Sequence, residues 1–382
     1  MHKTWKLAAA LLIGAGLLGV PGNLVQAKGT TMTAQWVPAV FSVDNGTDRL
    51  SADPQAKREI TQVFTAKLKD LQAKGKLPFE LKESSNLQLN GIQEDYEDTV
   101  PIGIVPIVLL DQGLVTKYHV GDKDFYKAVI TSGMNVAVCS GDKESGKWRV
   151  LAVVPMNAYS VLGRDPKHLI TSPLTHEQMV NEYTQITKEM INKDLDFKPV
   201  ARALKDWDKK QLTADTYQVD DVKISSKKAQ QVFHGHGVEI RNVIGNFYTT
   251  AFQQKTGHVV FPPKMSAQFK EDVTNQLYSC EMNSDSGSIN LEMEKPKHSI
   301  TLDFSGANWA DVVRSDPSDI RKDTVYKAWL TVKQDGKPDR TESDYSTQEY
   351  FLKEGNSLEV DPRDIYTGIL IKLSQNMAKQ EK

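Results

Sequence analysis

The chain has no excess of basic residues and, beyond its N-terminal segment, no long apolar run. Its 382 residues carry 47 Lys and Arg against 49 Asp and Glu, which gives a net charge of −2 with His neutral. Nucleic-acid-binding proteins normally carry a basic excess, so the sequence predicts no nucleic-acid partner. No later stretch approaches the roughly 20 apolar residues of a membrane-spanning helix.

The common catalytic motifs are also missing. The sequence contains no Gly-x-Ser-x-Gly elbow, no His-Glu-x-x-His helix and no Cys-x-x-Cys pair. Cys139 with a distant His could form a nucleophile pair, but a cysteine in a strand is usually a small buried hydrophobe. These absences favour a protein without catalytic activity, and we predict no catalytic residues and no cofactor.

The composition is that of a globular protein. Charged residues make up 25% and hydrophobic residues 39% of the chain, which argues against a disordered or fibrous protein. A length of 382 residues exceeds the usual size of a single hydrophobic core. Two domains are therefore expected.

The N-terminal segment 1–27 has the three parts of a secretory signal. A positively charged start precedes the apolar run Leu7–Val20, and Val25-Gln26-Ala27 places small residues at both recognition positions. The apolar run is shorter than the roughly 20 residues of a membrane span, so we expect cleavage rather than an uncleaved anchor. The sequence thus predicts an exported protein, periplasmic or extracellular, with no transmembrane span after cleavage.

Three patterns occur twice, in the same order, in the two halves of the chain. They are a Gly turn followed by a Pro that opens an amphipathic helix, a Lys-Asp strand start, and a capped closing helix. Their positions are Phe41–Leu71 and Phe252–Leu277, Lys123–Thr131 and Lys322–Thr331, and the helices that begin at Thr175 and at Asp361-Pro362. Repetition of three patterns in one order predicts a duplication.

The predicted fold class is α/β (α+β), with two tandem similar units. Each unit is expected to be a mixed β-sheet with a helix after the first strand and a closing helix. The predicted bounds are 28–193 for the first repeat, 194–231 for a helical connector and linker, and 232–382 for the second repeat. Within the second repeat, Val238–Phe252 is predicted to be a strand and Pro263–Tyr278 a helix.

The most apolar stretch of the mature chain is Val100–Leu110, which contains two prolines. Proline interrupts a helix and removes a hydrogen bond from a central strand. We therefore predict an edge or bulged strand, or a segment packed between layers. A membrane-touching patch is the alternative.

The candidate metal site is the sequence His234-Gly-His236. Alternate residues of a strand point to one face, where two imidazoles could share an ion. The alternative is a polar start to a strand, because the sequence identifies no third ligand.

The two cysteines, Cys139 and Cys280, fall in different repeats. In an oxidising compartment they could form a disulfide that joins the repeats, or remain two buried thiols. The sequence leaves both outcomes open.

The first repeat resembles the N-terminal domain of the periplasmic Tol-system propeller protein and the related CsgG-like envelope domains of curli secretion. The resemblance lies in the strand and polar turn Val40–Thr47 and in the helix that carries Ile60, Phe64 and Leu68. In those families a similar strand and turn precede a helix that lies across a small sheet. The resemblance implies assembly and protein contact in the cell envelope rather than chemistry.

The sequence therefore predicts an exported, non-catalytic envelope protein that acts in protein binding or assembly, with an envelope protein as its partner. An exported hydrolase or a solute-binding protein is the alternative, with its site in a cleft between the two units. A pocket that gathered His234, His236 and a carboxylate from the other unit would favour the hydrolase.

Overall fold

The computed structural model describes most of the chain after the predicted signal, which lies outside the described residues. The described ranges are 31–36, 40–41, 49–81, 99–142, 147–163, 169–205, 207–208, 211–212, 215–264, 269–272, 277–284, 287–315, 320–352 and 358–381.

These residues form six α-helices and seventeen strands. The helices are α1 (Pro54–Ala73), α2 (His176–Asp194), α3 (Lys198–Lys205), α4 (Lys227–Val232), α5 (Gly237–Thr256) and α6 (Arg363–Lys379). The strands are β1 (Thr31–Trp36), β2 (Val40–Phe41), β3 (Glu80–Leu81), β4 (Thr99–Val120), β5 (Lys123–Asp142), β6 (Lys147–Leu162), β7 (Trp207–Asp208), β8 (Gln211–Leu212), β9 (Thr216–Lys223), β10 (Val259–Phe261), β11 (Phe269–Asp272), β12 (Leu277–Ser284), β13 (Gly287–Glu294), β14 (His298–Ser315), β15 (Ile320–Gln334), β16 (Arg340–Leu352) and β17 (Leu358–Val360). The predicted α/β (α+β) class is confirmed.

The first sheet is built around an antiparallel meander of β4, β5 and β6. β1 runs parallel to β4, and β3 runs parallel to β1. The strand order is β11–β12–β13–β6–β5–β4–β1–β3, with β2 and β17 also paired to β4. Three strands from later in the chain therefore extend this sheet beyond β6.

The proline-containing stretch Val100–Leu110 lies in β4, where the predicted edge position is wrong. β1 pairs with it on one side and β5 on the other, although the predicted bulge is present after Val108. Pro106 is tolerated because β1 pairs as far as Ile104 and β2 begins opposite Ile107, so no described residue of these strands pairs with Pro106. Among the described residues, the missing N–H therefore breaks no ladder bond on that side.

Helices α1 and α2 pack on each other, and α2 packs on β5 and β6. Asp53 caps α1, because its carboxylate accepts hydrogen bonds from the backbone N–H groups of Gln55 and Ala56 at 2.9 and 2.8 Å. Thr175 and Gln178 form the predicted capping box of α2. The buried apolar faces confirm the predicted periodicity, with Ile60, Phe64, Leu68 and Leu71 on α1 and Tyr183, Ile186 and Met190 on α2.

The second sheet repeats the strand order of the first. Its order is β10–β9–β14–β15–β16, in which β9 is parallel to both neighbours and β14, β15 and β16 form an antiparallel meander. In the order of the chain, α1 lies between the parallel strands β1 and β3 of the first sheet. Likewise, α5 lies between the parallel strands β9 and β10 of the second sheet. A helix, α2 or α6, follows each meander. Duplication remains our interpretation of this shared order.

The predicted strand Val238–Phe252 is wrong, because this stretch lies within α5. Its buried apolar residues recur at helical spacing: Ile240, Val243, Ile244, Phe247, Tyr248, Ala251 and Phe252. The stretch is rich in β-branched and aromatic residues, which gives it a strand-like composition. Burial nearly all round also hides the polar stripe that usually reveals a helix.

The predicted helix Pro263–Tyr278 is also wrong. Its described residues after Lys264 belong to β11 and β12. The helix of the second sheet that corresponds to α1 in chain order is α5. The matched apolar spacing was a coincidence of short patterns. The other two repeated patterns do fall on corresponding elements, since the Lys-Asp starts lie on β5 and β15 and the closing helices are α2 and α6.

Helices α5 and α6 lie between the two sheets. Toward the first sheet, the side-chain amide of Gln253 donates a hydrogen bond to the carbonyl oxygen of Val153 at 2.7 Å. Toward the second sheet, the ring of Tyr366 packs against the ring of Tyr326, with centroids 5.8 Å apart. On the opposite face of the first sheet, Ser132 bonds to Thr187 of α2. The layers are thus α1 with α2, the first sheet, α5 with α6, and the second sheet.

The predicted connector 194–231 contains a helix as expected, α3, followed by the short hairpin β7–β8. It also contains β9, a strand of the second sheet. None of the described helices has both the length and the apolar content required to cross a bilayer.

The hydrogen bond of Gln253 joins α5 to the first sheet, so its loss should lower the stability of the protein. Gln253→Ala leaves the buried carbonyl of Val153 without this donor and should lower the free energy of unfolding by about 1–3 kcal/mol. Urea denaturation followed by circular dichroism measures this loss. The matched control is Gln254→Ala, the exposed neighbour, which should leave stability within about 0.5 kcal/mol of the wild type. Equal stability of the two variants would contradict the role of the bond.

Candidate functional site

A cavity of about 500 Å³, called the cleft below, separates the first sheet from the starts of α5 and α6. One wall is formed by residues 111–115 of β4 with Val129 and Thr131 of β5. The other is formed by six residues around the start of α5, together with Phe233, Arg363 and Thr367: His236, Val238, Glu239, Ile240, Asn242 and Val243. Arg49 also lines the cavity. The cleft thus lies between the first sheet and the helix pair α5 and α6.

The two predicted metal ligands lie in different surroundings. His234 and His236 belong to the turn between α4 and α5, and the predicted strand is wrong. His236 precedes α5 as its N-cap residue and lines the cleft, whereas His234 is exposed and does not line it. Within the part of the chain that the structure describes, no three His, Cys, Asp or Glu residues are grouped as a metal site would require.

A carboxylate of the first sheet does reach the cleft. Asp111 is buried, accepts a short hydrogen bond from the Ser51 hydroxyl, and lies 3.6 Å from the Nε atom of Arg49. A buried carboxylate is stable only with such partners, so this group anchors the segment before α1 to β4. The cleft therefore gathers His236 and the carboxylate of Asp111 on β4, but it does not gather His234.

Helices α6 and α5 supply an arginine and a carboxylate. Arg363 of α6 is held by Asp361, with Nε at 3.0 and 2.9 Å from the two carboxylate oxygens. This pairing raises the pKa of Arg363 above its ordinary value. Glu239 lies in the first turn of α5, where its Oε2 atom is buried without a hydrogen-bond partner among the described residues.

The structure has Cys139 as a free, fully buried thiol. Burial raises the pKa of this thiol strongly, so it stays protonated and is a poor nucleophile. Cys280 lies on β12, and the strands β13 and β6 separate it from β5, which carries Cys139. Because neighbouring strands lie about 4.8 Å apart, these backbones are too far apart for a disulfide. The side chain of Cys280 lies outside the described residues.

The second sheet has a face that turns away from α5 and α6, called the open face below. It carries Trp329 and Lys327 of β15, and Tyr345 of β16, which is 65% exposed and is the pairing partner of Lys327. The ring of Trp329 lies over Gly306, where an added Cβ would come within 2.8 Å of it. The Nζ atom of Lys327 lies 4.9 Å from the centroid of that ring, within cation–π distance.

The repeated Lys-Asp pattern relates this face to one that is covered. Lys327 and Trp329 correspond to Lys127 and Val129 of β5. In the first sheet Val129 lines the cleft and the Nζ atom of Lys127 lies 3.7 Å from Asp364 of α6. The same positions therefore face α5 and α6 in the first sheet, whereas in the second sheet Lys327 is exposed and Trp329 is half-buried.

Two further histidines, His258 just before β10 and His298 at the start of β14, lie beside the ring of Tyr217. The ring of Tyr217 is 4.5 Å from that of His298 and 4.8 Å from that of His258, between centroids. Burial is the main reason that the pKa of His258 is lowered from 6.5; Asp215 raises it, and His298, Lys337 and Arg202 lower it. The Nε2 atom of His298 lies 3.7 Å from Asp215.

Sequence reasoning missed most of the cleft residues. Asp111 had one usable signal, because it directly follows the apolar run Val100–Leu110 and ends it with a charge. Glu239 had none, since the surrounding segment was assigned to a strand. Arg49 and Arg363 come from distant segments that only the folded chain brings together.

The lowered pKa of His258 predicts a pH dependence. Between the folded pKa and 6.5 the unfolded chain binds more protons than the folded chain, so the free energy of unfolding falls as pH drops below 6.5. His258→Phe keeps a ring beside Tyr217 and removes this proton. Urea denaturation at pH 7.5 and 5.5 should show a smaller loss of stability for the variant, and an unchanged loss would contradict the prediction.

Comparison with known proteins gives little to add to this geometry. No family model and no curated protein matches the chain. Among solved structures, a neuraminyllactose-binding hemagglutinin homolog from Helicobacter pylori matches 49% of this chain and 92% of its own, at 13% identity and a TM-score of 0.27. A TM-score this low does not establish a shared fold, and the resemblance to Tol-system and CsgG-like domains stays a prediction.

Proposed function

We propose that this chain is an exported, non-catalytic protein that acts in protein binding or assembly in the cell envelope. The observation that carries the proposal is the open face, with Trp329 and the exposed Tyr345 on it. Aromatic residues are enriched at protein interfaces, and tyrosine and tryptophan supply much of the binding energy there. The proposal of export rests on the signal-like segment 1–27, and the proposal of a cell-envelope location rests on the family resemblance.

The covered counterpart of this face suggests what the partner presents. In the first sheet, α5 and α6 pack on the face, and Asp364 of α6 lies close to Lys127. Lys327 has the same place in the second sheet. The partner is therefore expected to offer a helical surface with an acidic side chain for Lys327, and an apolar patch for Trp329.

A second candidate function is solute binding in the cleft. The favouring observation is the cavity of about 500 Å³ between the units, a size and position typical of ligand pockets. The hydrolase alternative gains less, because His234 is exposed outside the cleft.

The open face predicts which substitutions weaken partner binding. We expect Trp329→Ser combined with Tyr345→Ser to weaken partner binding by roughly tenfold or more, and Lys327→Glu to weaken it through like-charge repulsion. The measurement is retention of an envelope protein by residues 28–382 in a pull-down, followed by titration of the retained protein.

The matched control is Trp309→Ser. Trp309 is 43% exposed on β14, and its pairing with Tyr326 places it on the α6 side of the same sheet. This variant loses a tryptophan that is more exposed than the half-buried Trp329 and should retain the partner. Retention that is equal for all variants, with unchanged circular dichroism, would contradict an assembly role for the open face.

A further inference from the structure

We infer that the cleft binds a primary amine that carries an apolar body. The inference rests on the second candidate function, solute binding, and names its ligand class. Three features support it, which are the charge balance of the walls, the polar face of α5 and the apolar surface opposite.

Both arginines of the cleft have a carboxylate partner within the protein. Arg363 forms hydrogen bonds of 3.0 and 2.9 Å with Asp361 through its Nε atom. The Nε atom of Arg49 lies 3.6 Å from the buried carboxylate of Asp111. These pairings neutralise the positive charge of the walls, so the cleft is not a site built for an anion.

Glu239 is the carboxylate that remains. It lines the cleft, its Oε2 atom is buried without a hydrogen-bond partner among the described residues, and no described cation lies within salt-bridge distance of it. Rotation about the terminal torsion of glutamate is soft, so either oxygen can turn toward the cavity. A carboxylate in a partly desolvated wall is stabilised by a cation that donates hydrogen bonds.

The residues beside Glu239 fit an ammonium group. Asn242 lies three residues after it, on the same side of α5, and His236 lies three residues before it as the N-cap residue; all three line the cleft. An ammonium has three N–H donors, and a carboxylate, an amide oxygen and an imidazole nitrogen are three acceptors. The set matches in number and in chemical type.

The rest of the cleft is largely apolar. Leu114, Val115 and Val129 line it from the first sheet, and Phe233, Ile240 and Val243 line it from α4 and α5. Ligand pockets of about 300–1,000 Å³ bury most of a small organic molecule in such surroundings. The cavity of about 500 Å³ is therefore large enough for an alkyl or aryl body of moderate size.

Glu239 also has a purely structural interpretation. An acidic residue in the first turn of a helix interacts favourably with the helix dipole, and Glu239 has this position in α5. That role makes no prediction about amines. Ligand binding therefore separates the two interpretations.

The test uses residues 28–382 and three probes of one chain length, octylamine, octanoate and octan-1-ol, titrated by calorimetry at pH 7.5. At this pH the amine is charged. We expect octylamine to bind about tenfold or more tighter than the other two, because it alone pairs with Glu239. Binding of all three with equal affinity would overturn the amine assignment and leave a solute site. Binding of none would overturn both.

Variants then locate the charge. Glu239→Gln should weaken octylamine binding by about tenfold or more, whereas Glu177→Gln, at a first-turn position of α2 outside the cleft, should not change it. Val238 lines the cleft and is 57% exposed, so it tolerates replacement. Val238→Lys should weaken and Val238→Glu strengthen binding by a few-fold, through charge alone.

The Val238 pair keeps the test decisive if Glu239→Gln fails to fold. Opposite shifts in octylamine affinity for the two variants would support an ammonium site beside the start of α5. Equal affinities for both variants and the wild type would place the amine elsewhere and overturn the proposal.

Discussion

Burial of α5 and α6 between two sheets is the constraint on which the rest of the structure depends. All residues of α5 from Val243 to Gln253 are buried, including the polar ones. Polar groups at such depth require partners, and Gln253 finds one in the backbone of the first sheet. The helix pair is thus the structural element that holds the sheets together, and the cleft is the gap left where both helices begin.

This double burial also decides what the sequence could reveal. The helices α1 and α2 have one polar face, so their period of 3.6 and their caps at Asp53 and Thr175 are visible in the sequence. Both sheets pack against α5, so apolar residues occupy both of its sides and no polar stripe is left. A helix of this kind has the composition of a strand, and pattern reasoning assigned it to one.

The candidate site was predictable only in its location. The chain length and the repeated patterns predicted two units with a site between them, and His236, one of the two predicted metal ligands, lines the cleft. The remaining charged groups come from three separate segments around Arg49, Asp111 and Arg363. No spacing in the sequence connects them, because their proximity is created by strand order and by the packing of α6.

The position of α6 in the chain has a consequence for the order of events during folding. The meander β4–β5–β6 is complete by Leu162, yet the face that it turns toward α6 is covered in part by residues 363–379. More than half of the chain separates this surface, in sequence, from the helix that covers it. Contacts of such sequence separation slow folding and leave apolar surface open to aggregation in the meantime. Correct folding of a protein with this layering therefore depends on protection of this apolar surface from aggregation until residues 363–379 can cover it.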